Sequence, residues 1–96
     1  MQTEPAPPEV SFVAFIISLA SNAAVQFGDM PDPVTNQTRP PNLEAAKQLI
    51  DIIAMLEQKT RGNLSAEERQ LVEQVLYELR MRFVEARKAA SPIIQP

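Results

Sequence analysis

The sequence of 96 residues contains neither cysteine nor histidine. Without cysteine no disulfide can form, and without either residue type the common zinc sites are excluded. The same absences remove the Ser-His-Asp triad, the thiol nucleophile and the imidazole base as catalytic arrangements. A domain this small usually needs a disulfide, a metal or self-association for its stability. Self-association is the support that the composition leaves open.

Glycine is scarce as well, with only Gly28 and Gly62, so the chain has no Gly-rich phosphate loop and no Asp-x-Asp-x-Asp-Gly calcium loop. Four side chains have acid–base chemistry that would matter if they were buried together: Asp51, Glu57, Lys59 and Tyr77. Helical geometry puts Asp51 and Lys59 on the polar side of their helix. We therefore predict no enzyme activity, no catalytic residues, no cofactor and no metal site.

Positive charge is missing from the first part of the chain, since all nine Lys and Arg residues lie from Arg39 onward. The net charge of −3 does not favour a nucleic acid as the partner. Basic residues do gather in the C-terminal turns, at Arg80, Arg82, Arg87 and Lys88. Nucleic-acid binding through these turns stays an alternative. Residues 59–63 (KTRGN) are also compatible with anion binding before a helix N-terminus, but helix capping and complementarity to the helix dipole explain them better.

A targeting signal is not evident, because the uncharged stretch from Val10 to Gly28 follows a segment without Lys or Arg. As a membrane span this stretch is short, and four polar side chains interrupt it: Ser18, Ser21, Asn22 and Gln26. We expect a cytoplasmic protein. Peripheral membrane binding through this helix stays an alternative, although its polar side has none of the Lys or Arg typical of interfacial helices.

Capping and breaking residues predict one helical domain, residues 11–90, between disordered tails at residues 1–10 and 91–96. Three helices are expected, at about residues 12–27, 43–61 and 66–90. Ser11 and Asn42 are the expected N-caps of the first two helices.

The two connections differ in length. The Pro-rich connection, residues 28–42, is long, so it either packs against the helices or leaves the first helix free to dock elsewhere. Only residues 62–64 separate the second and third helices, which predicts an antiparallel helical hairpin. Ser65 and Glu68 have the spacing of a capping box at the start of the third helix.

The apolar faces of the helices are broad. Apolar residues cover an arc of about 200° on each of the first two helices, whereas a surface helix of a monomer needs only roughly 100°. The third helix has one core stripe and, almost opposite, a second patch of Tyr77, Met81 and Val84. We therefore predict an all-α, homo-oligomeric helical bundle. Its candidate interface residues are Phe12, Phe15, Ile16, Leu19, Ala23, Phe27, Tyr77, Met81 and Val84.

Four segments carry a family resemblance: SFVAFIISLASNAAVQFGDMPDP, LEAAKQLIDIIAML, EQKTRGNLSAEE and LVEQVLYELRMRFV. Together, from Ser11 to Val84, they resemble the bacterial "domain of unknown function 1844" family, and KTRGNLS and LYELRMRFV are the most specific parts. The resemblance implies a small, helical, cytoplasmic bacterial protein. It implies no activity and no catalytic residues.

The sequence as a whole favours a non-enzymatic protein-interaction or scaffold module that self-associates through its apolar helices. Its expected partner is a second copy of itself, with another protein as the next candidate. Membrane-peripheral binding and nucleic-acid binding are the alternatives.

Overall fold

The computed structural model describes residues 10–90, and within that range the chain forms three α-helices and no strand. The helices are α1 (Phe12–Gln26), α2 (Leu43–Lys59) and α3 (Ala66–Ala90). Each of the three packs against the other two, which confirms the all-α class. The tails expected at residues 1–10 and 91–96 lie outside the described range, apart from the exposed Val10.

The helix N-termini are capped as the sequence predicts. The Ser11 hydroxyl accepts a hydrogen bond from the third backbone N–H of α1 at 3.0 Å, and the Asn42 side chain does the same for α2 at 3.1 Å. At α3 the Glu68 N–H donates to the Ser65 hydroxyl at 3.1 Å, while the Ser65 N–H donates to the Glu68 carboxylate at 2.8 Å. Each such cap contributes about 1 kcal/mol to the stability of its helix.

The C-terminus of α2 lies at Lys59, two residues before the predicted end. The Thr60 hydroxyl donates to the carbonyl of Leu56 at 2.7 Å, and the same carbonyl also accepts from the Thr60 backbone N–H at 3.0 Å. Gly62 then adopts a φ of +86°, a conformation that closes the helix and favours glycine.

The core is formed by small and branched side chains from all three helices. Its buried members are Ile16, Ala23, Phe27, Ala46, Ile50, Ile53, Val72, Leu76 and Ala86. Ala23 on α1 and Ala46 on α2 are completely buried, and such small side chains allow helices to approach closely. Because large apolar residues contribute roughly 1.5–3 kcal/mol each when buried, this cluster is the main source of stability within one copy.

The long connection packs against α1 instead of leaving that helix free. The Asn42 N–H donates to the carbonyl of Gln26 at 2.7 Å, so the connection ends next to the place where it began. A side chain at Gly28, whose φ is +81°, would come within 2.9 Å of the Arg39 carbonyl oxygen. Val25, which faces away from the core cluster, is buried beside this connection.

The connection is ordered by contacts around Asp32. Its carboxylate accepts from the Val34 N–H at 2.8 Å and forms an ion pair with Arg39. The hydrogen bond from the Val34 N–H, followed by that from Arg39, lowers the pKa of Asp32 below its usual value. This local network gives an otherwise irregular segment a definite shape against α1.

Candidate interaction surface

α1 divides its apolar residues between the core and the surface. Three of the predicted interface residues, Ile16, Ala23 and Phe27, are buried within the single copy. Since the chain itself covers them, they are not available for contact with another molecule. Phe12 and Leu19 are half-buried and pack against the edge of the core.

The outer face of α1 is uncharged and has an exposed apolar side chain at each edge. Phe15 is 49% exposed and Ile17 is 48% exposed, and at 100° per residue they flank this face on either side. Small or polar residues lie between them: Ala14, Ser18, Ser21 and Asn22. The Ser18 hydroxyl donates to the carbonyl of Ala14 at 3.0 Å, so it needs no partner outside the helix. We name this surface, from Ala14 to Asn22, the α1 face.

A hollow of about 600 Å³ borders the α1 face where the connection packs against the helix. Its lining combines apolar side chains with a few polar groups: Ile17, Ser18, Ser21, Asn22, Val25, Met30, Pro31, Asp32, Pro33 and Arg39. Met30 is largely exposed beside it and extends the apolar area beyond the helix. Ile17 and Met30 were not among the predicted interface residues. Ile17 lies within the broad apolar arc of the helical wheel, which was the available signal.

The second apolar surface lies on the outer side of α3. Tyr77 is 63% exposed, Met81 49% and Val84 45%. They follow one another at i, i+4 and i+7, so they line one stripe of the helix. Arg80 and Glu85 are exposed on the two sides of this stripe. We name this surface, from Tyr77 to Lys88, the α3 face.

One of the basic residues of the C-terminal turns is already paired within the chain. The Arg82 guanidinium donates two hydrogen bonds of 2.7 Å to the two carboxylate oxygens of Asp29, just after α1, and lies 5.2 Å from the centre of the Phe27 ring. Hydrogen bonding to Arg82, and then its charge, lower the pKa of Asp29 against the opposing effect of burial. The pair ties α3 to the end of α1, so Arg82 is engaged in the fold.

Of the residues with acid–base chemistry, Asp51, Lys59 and Tyr77 are exposed, and Glu57 is partly buried. Asp51 forms an ion pair with Lys47 at 2.9 Å on the solvent side of α2, and Lys59 is exposed. Glu57 and Tyr77 line one open hollow of about 360 Å³ between α2 and α3. Within residues 10–90, no cluster of three or more acidic side chains is arranged to hold a metal ion.

The KTRGN segment forms internal contacts. Arg61 donates to both carboxylate oxygens of Glu57, four residues earlier, at 2.9 and 3.0 Å. The hydrogen bond from Arg61 is the main reason that the pKa of Glu57 is lowered; burial opposes it, and the charges of Arg61 and Arg80 lower the pKa further. The arrangement agrees with the capping interpretation of this segment.

None of the three described helices combines the length and the apolar character that crossing a membrane requires. A comparison with protein families matches residues 9–85 to the family described as Domain of unknown function (DUF1844). The chain belongs to this family, which confirms the resemblance seen in the sequence. No match was found among curated proteins or among solved structures.

Proposed function

We propose that this member of the family is a non-enzymatic interaction module that works in the cytoplasm and self-associates through the apolar surface that one copy leaves exposed. In this proposal α2 and α3 form an antiparallel hairpin, which the short connection between Lys59 and Ala66 supports. The observation that carries the proposal is the α1 face, where Phe15 and Ile17 are half exposed on a helix without any charged residue.

Burial energetics support a partner for this face. Each large apolar side chain contributes roughly 1.5–3 kcal/mol when it moves from water into a packed interface. Phe15 and Ile17 would each recover part of this amount, as would the half-buried Phe12 and Leu19. Since small domains have only about 5–15 kcal/mol of stability, this contribution is large on their scale.

A second copy suits the α1 face better than a lipid surface does. Helices that lie on membranes usually have Lys or Arg along their polar side, and α1 has no basic residue. In a two-fold contact the same face meets itself, so a face without charge brings no like charges together. The absence of charge, which weakens attraction to anionic lipids, therefore favours self-contact.

The mass of the protein in solution tests the proposal. We expect light scattering to give a mass well above the 10.7 kDa of one chain. Phe15→Glu should lower the mass to that of one chain and keep the helical circular dichroism, because Phe15 lies on the surface of the single copy. Val34→Glu is the matched control, since Val34 is 90% exposed in the connection and belongs to neither face.

A folded wild-type monomer at low micromolar concentration would contradict self-association. A wild-type oligomer whose mass is unchanged by Phe15→Glu would instead show that the α1 face is not its interface. Co-sedimentation of the wild type with anionic vesicles, abolished by Phe15→Glu, would favour the membrane alternative.

A further inference from the structure

The apolar stripe of the α3 face has the spacing of a coiled-coil seam. Tyr77, Met81 and Val84 are separated by four and then three residues, the alternation of d, a and d positions in a heptad. All three lie about 140° or more around α3 from Leu79 and Ala86, which face the core. The stripe is therefore an exposed seam, and Tyr77 and Met81 also border the open hollow between α2 and α3.

The two edges of the seam have opposite charge. Arg80 and Arg87 lie seven residues apart along one edge, and Glu78 and Glu85 lie seven residues apart along the other. These are the g and e positions of the same heptad, which in coiled coils form ion pairs between helices. All four side chains are exposed, and none of them is in an ion pair within residues 10–90.

We propose that the α3 face pairs with the α3 face of a second copy, with the two α3 helices parallel and Arg80 of each copy opposite Glu85 of the other. The proposal rests on the self-association proposed above and adds a second contact, on α3, which sets the orientation of the two copies. Two helices that face each other about an axis parallel to them bring the basic edge of one against the acidic edge of the other. An antiparallel arrangement would instead place Arg against Arg and Glu against Glu.

The same charges argue for a second copy over an unrelated acidic or basic partner. An acidic helix would be attracted by Arg80 and Arg87 but repelled by Glu78 and Glu85, and a basic helix would meet the reverse. A second copy has both edges in the same order, and it matches them at Arg80 and Glu85.

Like charges mark the two ends of the seam. In the parallel arrangement Glu73, at a g position, faces Glu78 of the second copy, and Lys88, at an a position, faces Lys88. The matched stretch is thus limited to the turns between Tyr77 and Glu85. A contact this short serves chiefly to orient two copies that also bury other apolar surface.

Charge reversal tests the pairing. Arg80→Glu or Glu85→Arg alone should weaken dimerisation roughly tenfold at low salt, because each change replaces two attractive contacts by two repulsive ones. The double variant Arg80→Glu, Glu85→Arg should return the dissociation constant to that of the wild type. Residues five apart lie about 140° apart around a helix, so this rescue cannot come from a contact within one chain. Sedimentation equilibrium gives the constants.

A cysteine cross-link tests the orientation. The natural chain has no cysteine, so Val84→Cys introduces the only thiol. In a parallel pair the two introduced thiols are adjacent across the seam, and mild oxidation should give a covalent dimer within minutes. Met55→Cys on α2 is the control, since Met55 is 46% exposed against 45% for Val84 and lies outside both faces.

The outcomes separate this inference from the broader proposal. If the wild type oligomerises but the double variant is weaker than either single variant, or if Val84→Cys cross-links no faster than Met55→Cys, the parallel α3 contact is wrong and self-association stands. A monomeric wild type that shows no concentration dependence overturns both.

Discussion

α1 and α3 both bury one stripe in the core and expose apolar residues on the other side, but they differ in what surrounds the exposed residues. The α1 face has no charge at all, whereas the α3 face lies between a basic edge and an acidic edge. Apolar contact is non-directional, and charged edges discriminate between alternative pairings. The two helices therefore suit different tasks. α1 provides apolar surface that a partner can bury, and the charges of α3 determine how the partner is oriented.

The largest change in unfolding free energy is expected from a substitution on the buried side of α1, in contrast to one on its exposed side. Ile16→Ala should cost about 2–5 kcal/mol of unfolding free energy, because Ile16 is completely buried and its truncation leaves a cavity. Phe15→Ala, one residue earlier, should change the unfolding free energy of the single copy much less and act on association. Urea unfolding at one fixed protein concentration measures the first effect, and light scattering measures the second.

If both variants lose the same unfolding free energy and Phe15→Ala leaves the mass in solution unchanged, this distinction is wrong. The exposed side of α1 would then contribute to the stability of the single copy as the buried side does, and not to association.

Association should depend on salt differently in variants of the α1 face and in variants of the α3 face. Phe15→Glu should lose association at both low and high salt, because it removes apolar contact and buries a charge. Arg80→Glu should weaken association roughly tenfold at low salt and little in 1 M NaCl, where the Debye length is about 3 Å. Sedimentation equilibrium at the two salt concentrations checks this, with Val34→Glu as the control for an added charge. An effect of Arg80→Glu that is independent of salt would contradict the ionic role of its edge.

The sequence predicted the helices well because their signals are local. Ser11, Asn42 and the Ser65–Glu68 box cap the helices where expected, and each of these contacts spans only three residues. The predicted end of α2 at Arg61 was two residues too late. Thr60, at the C-cap, has a φ of −102° and a ψ of 4°, outside the α-helical range, and the charge pattern of the last turn does not reveal this change of backbone conformation.

The candidate surface was predicted less completely, because the burial of a residue depends on how the helices pack against one another. The helical wheel gave a broad apolar arc on α1 but not its division, so it assigned the buried Ile16, Ala23 and Phe27 to the interface and left out the exposed Ile17. The pairing of Asp29 with Arg82 joins residues 53 apart in sequence, and no local pattern indicates it.

A moderate loss of stability is expected when the ion pair between Asp29, just after α1, and Arg82 of α3 is removed. Asp29→Asn should lower the free energy of unfolding by about 0.5–1 kcal/mol, since both side chains are more than a third exposed and solvent screens the pair. In a domain of this size the change corresponds to about 2–8 °C in Tm. Thermal unfolding at fixed concentration measures it, with Asp51→Asn on the solvent side of α2 as the matched control.

The effect of Asp29→Asn should depend on pH in a defined direction. Arg82 lowers the pKa of Asp29 in the folded state below its ordinary value of 3.8, so the contribution is fully present above pH 3.8. It is lost as the pH falls through the lowered pKa, and the two proteins should then converge in stability. A difference that persists unchanged in stronger acid would show that Asp29 acts through packing and not through its charge.

The smallest expected effect is tighter self-association, and it comes from a substitution at the N-terminal end of the α3 seam. Glu73→Gln removes the repulsion that a parallel pairing creates between Glu73 of one copy and Glu78 of the other, twice in each dimer. Association should therefore tighten about threefold at low salt and be unchanged in high salt. Glu44→Gln, exposed at the start of α2 and outside both faces, is the control for the loss of one negative charge. Because a generic decrease in repulsion between two acidic chains would strengthen both variants alike, a gain confined to Glu73→Gln identifies the parallel seam, and equal gains argue against it.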